Sequence, residues 1–131
     1  MRQVIQANIC FSSAVIKHII RGIFRGCLQM HSKGICHRDL KPENVLLKKG
    51  KNAESLLGWE VKIADLGAAK VLDCSQRRMN TPYVVSRYYR APELIMGTYY
   101  YDTSIDIWAV GCILFELITL TPLFPGETEG L

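Results

Sequence analysis

The chain has 131 residues, 49% of them hydrophobic and 21% charged, enough for one globular core and without the compositional mark of disorder. Its net charge of +4, from 16 Lys+Arg against 12 Asp+Glu, is too small for a nucleic-acid footprint. Five cysteines, odd in number, scattered and without a C-x-x-C pair, exclude a disulfide framework and a zinc site and point to reduced thiols.

Residues 1–11 carry no usable motif. From Ser13 onward Val15, Ile16, Ile19, Ile20, Ile23, Phe24, Cys27 and Leu28 recur as adjacent pairs every four residues, which predicts one broad apolar helix face. Ser12 or Ser13 is the expected N-cap and Gly34 the end. Lys17, Arg21 and Arg25 fall on the opposite face. Gly22 and Gly26 each cost about 1 kcal/mol relative to Ala in a helix, so a close backbone neighbour is what they would serve.

The chemistry concentrates in His37-Arg38-Asp39-Leu40-Lys41-Pro42-Glu43-Asn44. A carboxylate at Asp39 can accept a proton from a hydroxyl nucleophile, Lys41 can neutralise a phosphoryl oxygen, and the Asn44 amide can coordinate a hard cation. Metal binding by His31, Cys36 and His37 is disfavoured, because their spacing is irregular and no further Cys or His lies nearby. His37 reads as a packed scaffold histidine.

Val45-Leu46-Leu47 and Val61-Lys62-Ile63 read as two short strands of a hairpin around a polar insertion. Asp65-Leu66-Gly67 follows, a carboxylate at a strand end with a glycine expected to let the backbone turn sharply. The next stretch is polar, basic and hydroxyl-rich. It carries Thr81-Pro82-Tyr83, Ser86 and the cations Arg77, Arg78, Arg87 and Arg90, which could form a phosphate pocket or a solvated basic face. A second helix begins at Thr103, with Thr103 and Asp106 at capping-box spacing, and is apolar nearly all round, as befits the middle of a lobe. Its most apolar run, residues 107–115, is ended by Glu116 before it could span a bilayer. With no secretory pattern at the start, an intracellular protein without a membrane partner is expected.

HRDLKPEN resembles the catalytic loop of eukaryotic protein kinases. D-L-G resembles the kinase magnesium motif with Leu66 in place of Phe, and Ala91-Pro92-Glu93 the close of the activation segment. TPYVVSRYYRAPE is similar to the stress-activated mitogen-activated kinases, whereas GICHRD, AAK and SIDIW look closer to the glycogen synthase kinases; both are proline-directed. The resemblance implies an α+β fold, the mostly helical C-terminal lobe of a kinase, as one partial domain over residues 1–131. It implies a serine/threonine protein kinase using ATP and Mg2+, with Asp39 and Lys41 catalytic. Lys41, Glu43, Asn44 and Asp65 would face the nucleotide, with Asn44 and Asp65 on magnesium.

Arg38 would receive phosphate, with Lys70 toward Thr81 and with Arg87 and Arg90 toward Tyr83. The same resemblance has Asp106 accepting hydrogen bonds from the catalytic-loop backbone and Glu93 pairing with an arginine of a later helix. Protein substrates bearing Ser or Thr and an upstream activating kinase are the implied partners. The 131 residues contain no G-x-G-x-x-G loop and none of the family's later helices, so activity of this stretch alone is expected to be weak or nil. The alternative is a non-catalytic binding protein that competes for kinase substrates or activators.

Overall fold

The computed structural model describes residues 1–72 and 87–126. A short helix α1 (Arg2–Gln6) leads into α2 (Ser13–His31), after which β1 (Ile35–Cys36) opens the loop that reaches β2 (Val45–Lys48). Strand β3 (Glu60–Ile63) returns beside β2, and β4 (Lys70–Val71) pairs with β1. Helix α3 (Pro92–Ile95) and the long α4 (Ser104–Thr119) complete the described elements. The class is α+β, dominated by helices, with two small open sheets among the described residues.

Helix α2 starts where the Ser12 hydroxyl accepts the Val15 amide, satisfying one of the donors a helix start leaves free. After His31 the chain turns, and Gly34 takes φ +70°, a left-handed conformation that glycine adopts without penalty. The buried stripe of α2 is narrower than the apolar periodicity predicts. Ile19, Ile23 and Cys27 are buried, but Phe24 is 44% and Leu28 68% exposed. The i, i+4 row from Ile20 through Phe24 to Leu28 lies at the edge of the face, where no described element covers its far end.

The core joins that stripe to Ala109, Val110, Cys112, Ile113 and Leu117 of α4, with Leu40, Val45 and Tyr89 filling between. Each fully buried Ile or Leu contributes about 1.5–3 kcal/mol over its exposed state, so the α2–α4 contact is a large source of stability. Helix α4 sits centrally, yet only one side of it is covered: Ile107, Trp108, Leu114, Phe115 and Ile118 remain exposed. The expected capping box does not form. Thr103 makes no side-chain cap, Asp106 points away from its own helix, and the carboxylate of Asp102 instead accepts the Ser104 amide at 2.7 Å.

The β2–β3 hairpin forms as predicted, with Val45 opposite Ile63 and Lys48 opposite Glu60. It lies directly on α2, and the two helix glycines explain how. A Cβ on Gly22 would stand 2.5 Å from the Val61 Cβ, and one on Gly26 2.6 Å from the Ile63 Cδ1. The strand therefore packs against bare helix backbone. Among the described cysteines none is bridged, and Cys27, Cys36 and Cys112 are buried. Burial, reinforced by the Asp106 charge, pushes the Cys27 thiol up to about 12.

Gly22→Ala is expected to destabilise the chain by about 1–3 kcal/mol, because overpacking against Val61 outweighs the helix propensity gained. Gly111→Ala on α4, where an added Cβ meets nothing within 4 Å, is expected to stabilise it by up to about 1 kcal/mol. Urea unfolding of the two variants checks the opposite signs.

Candidate active site

Strand β1 delivers the chain to His37 and Arg38 at the buried end of α4, where Asp106 waits. The Asp106 Oδ2 accepts the His37 amide at 2.8 Å, the His31 Nε2–H at 2.8 Å and the Cys36 thiol at 3.4 Å, while Oδ1 accepts the Arg38 amide at 2.9 Å. A carboxylate this buried is costly unless its lone pairs are met, and here four donors, from His31 and from the run Cys36-His37-Arg38, meet them. Arg38 adopts φ +69°, a conformation that costs a non-glycine residue on the order of 1 kcal/mol or more. Its amide bond to Asp106, with Nε donating to the Ala68 carbonyl at 2.6 Å and Nη1 to the Tyr101 hydroxyl at 3.1 Å, holds it there.

His37 is fully buried and its tautomer is set by its partners. Nδ1 accepts the Asp39 amide at 3.2 Å, so the proton sits on Nε2 and is donated to the Ala64 carbonyl at 3.0 Å. The imidazole thus ties the loop of residues 37–44 to the end of β3. Scaffold is the role its contacts describe.

The Asp39 carboxylate is held on one side. Its Oδ2 receives Lys41 Nζ at 3.1 Å and Asn44 Nδ2 at 3.3 Å, and Asn44 Nδ2 also donates to the Asp39 carbonyl at 2.8 Å. Its Oδ1 is buried and has no hydrogen-bond partner, the single such side-chain atom among the described residues. Asn44 spends its side-chain nitrogen on Asp39, and its side-chain Oδ1 takes no donor among the described residues.

The hairpin register brings Asn44 and Asp65 to one end of the sheet, because the Ala64 amide donates to the Asn44 carbonyl at 2.8 Å and Asp65 comes next. The turn at Asp65-Leu66-Gly67 differs from expectation in where its unusual backbone lies. Asp65 itself takes φ +62°, whereas Gly67 is not left-handed; its amide donates to the Asp65 Oδ1 at 3.2 Å. Leu66 is 60% exposed. Asp65 and Asn44 are the carboxylate and amide that could hold a magnesium ion, which takes few protein oxygens and keeps water and phosphate in its other positions. Among the described residues no three His, Cys, Asp or Glu side chains are grouped as metal ligands.

Glu43 turns outward to Arg2, whose Nε lies 2.6 Å from its Oε1. Partial burial would raise the Glu43 carboxyl, but the hydrogen bond and charge of Arg2 hold it below its ordinary 4.5. The contribution of that contact to stability is therefore complete above that value and fades as the pH falls through the lower folded value. Arg2 also reaches the fully buried Glu116 of α4 through Nη1 and the Tyr89 hydroxyl through Nη2 at 2.6 Å, and Tyr89 donates to Glu116 at 2.5 Å. Nothing in the sequence pattern flagged this network, since a five-residue helix with one buried Ile shows no periodicity. Glu93 is half-buried beside Trp108 and Phe115 and makes no ion pair among the described residues. Arg87 and Arg90 flank Tyr89, and Lys70 lies on β4. Arg77, Arg78, Thr81, Tyr83 and Ser86 lie outside the described residues.

No described helix is long and apolar enough to cross a membrane. The sequence matches the family model of the protein kinase domain over residues 1–130. It is 45% identical over 113 residues to glycogen synthase kinase 1 of Pyricularia oryzae, covering 86% of this chain and 26% of that protein. A probable serine/threonine-protein kinase of Encephalitozoon cuniculi is 41% identical over 130 residues, 99% of this chain and 38% of the relative. Cyclin-dependent kinase 20 of Rattus norvegicus is 41% identical over 116 residues, 88% and 31% of the two chains. The chain thus spans between 26% and 38% of the length of these curated relatives.

Asp106→Ala strands two buried backbone donors, at about 1–3 kcal/mol each, and is expected to destabilise the chain by about 2–6 kcal/mol in urea unfolding. Asp102→Ala, which removes only an exposed helix cap, should cost about 1 kcal/mol.

Proposed function

Because this chain belongs to the protein kinase family and matches serine/threonine kinases along most of its length, we propose that it supplies the substrate- and magnesium-handling half of a serine/threonine phosphotransferase. The observation that carries this reading is the Asp39 carboxylate, with one oxygen held by Lys41 and Asn44 and the other buried and unmet. A buried acceptor without a donor is costly, and a substrate hydroxyl is the donor that would satisfy it. Asp39 would then accept the proton of a Ser or Thr hydroxyl as that oxygen takes the γ-phosphoryl group and the bond to the leaving ADP breaks, and Lys41 would balance charge on the phosphoryl oxygens.

Magnesium–ATP, when bound, supplies the phosphoryl group and a cation to neutralise its oxygens. Asn44 and Asp65 are the residues that would hold the cation, and Lys41 would face the nucleotide; Glu43, whose carboxylate is taken by Arg2, would face it through its backbone. The protein substrates carry Ser or Thr, with a preference for a following proline. The activation segment is regulated by an upstream kinase acting at Thr81 and Tyr83. Each phosphate brings a charge of about −1.5 to −2, with Arg87 and Arg90 toward Tyr83, Arg38 and Lys70 toward Thr81, and Ser86 placed beside the substrate.

In an active form of the protein, Asp39→Asn is expected to lower phosphotransfer to a Ser/Thr peptide by about 10²–10⁴-fold while ATP affinity stays near the parent value. Radiolabel transfer and calorimetric titration read the two quantities separately. Retained turnover in the variant removes Asp39 from the chemistry.

A further inference from the structure

Between α2 and β3, and reaching Ile35 of β1 and Leu66 of the Asp65 turn at one end, lies an open groove of about 620 Å³. Its floor is apolar, made by Val61 and Ile63 where they lie on the bare backbone of Gly22 and Gly26. Its rim is cationic: Arg21, Arg25 and Lys33 stand along the helix side and Lys62 along the strand side. The helix-side cations are exposed and make no ion pair among the described residues. One carboxylate, Glu60, faces them, and it lies 3.8 Å from Lys62. His18 adds no unmet donor there, since its Nε2 donates to the Trp59 carbonyl at 2.8 Å.

Four cations on an apolar floor, against one carboxylate, is not the composition of a merely solvated face. Long basic side chains normally spread from one another, whereas here packing of the strand on two glycines sets them around a depression. Arg21 and Arg25 are one helical turn apart, about 6 Å along the axis, and an extended chain advances about 6.6 Å between residues on the same side. An extended segment with carboxylates at alternate positions therefore matches the rim in step, and apolar side chains between them reach Val61 and Ile63.

We propose that this groove docks an acidic, apolar-interleaved peptide segment of a partner protein, at a site separate from Asp39. The apolar floor favours such a peptide over a nucleic-acid backbone, which has no use for Val61 and Ile63.

Fluorescence anisotropy with a labelled peptide of alternating Glu and Leu, added to the full 131-residue chain, tests the proposal. Binding is expected to weaken with added salt and to fall by at least about tenfold in Arg21→Glu/Arg25→Glu. A second pair, Lys33→Glu/Lys62→Glu, should weaken it in the same direction. Lys48→Glu/Lys49→Glu, an equal charge change outside the groove, should leave it unchanged, with circular dichroism reporting that the helices persist in each variant. Absence of binding, equal binding of the Lys-for-Glu peptide, equal loss in the Lys48/Lys49 pair, or tighter binding of a labelled oligouridine each overturns the proposal.

Discussion

The Asp106 carboxylate is the constraint on which the rest of the site depends. It is a charge carried on the most apolar helix of the chain and buried at 1% exposure, so it is tolerable only if its lone pairs are filled. The fillers are the His37 and Arg38 amides, the His31 imidazole and the Cys36 thiol. The requirement works both ways. Helix α4 cannot sit in the core without the loop of residues 37–44 on its buried end, and the loop cannot hold Arg38 left-handed without that carboxylate. Asp39 emerges from the strained position already oriented.

A second set of ties sets Asn44 and Asp65 relative to Asp39. His37 bonds the end of β3, the Asn44 carbonyl accepts the Ala64 amide, and Asn44 Nδ2 bridges back to Asp39. The loop and the Asp65 turn are thus joined through short hydrogen bonds and one antiparallel register, with little conformational freedom to be lost when a ligand arrives. The Arg2, Glu116 and Tyr89 network does the same from the other side of the loop, linking α1, α4 and the segment that follows the residues outside the description. Together with the exposed Glu43, it places an ionic cluster beside the site in which loss of Arg2 leaves the buried Glu116 charge uncompensated.

The loop chemistry was legible in the sequence because local residue order carries it: Asp39, Lys41 and Asn44 lie within six positions, and the hairpin that brings Asp65 to them is bounded by short apolar runs. The Asp106 contact was legible only through resemblance, for a Thr-x-x-Asp spacing reads by itself as a capping box, and Asp102 proved to be the cap. The glycines of α2 announced a close neighbour without saying which. Other features had no local signal. The β1–β4 pairing joins strands of two residues across more than thirty positions, and α1 contributes one Ile and one Arg to distant partners. The exposure of Phe24 and Leu28 likewise depends on which elements reach them, a tertiary fact that helical periodicity does not encode.

Amide hydrogen exchange at His37 and Arg38 tests the central claim most directly, that a buried carboxylate on α4 clamps the loop of residues 37–44. Both amides donate to Asp106 at 2.8 and 2.9 Å, so they should exchange only with opening of the α2–α4 core, as slowly as the amides of Ile23 and Ile113. Exchange at His37 and Arg38 as fast as in an unstructured peptide, while Ile23 and Ile113 stay protected, would show a loop that moves independently of α4 and contradict the account.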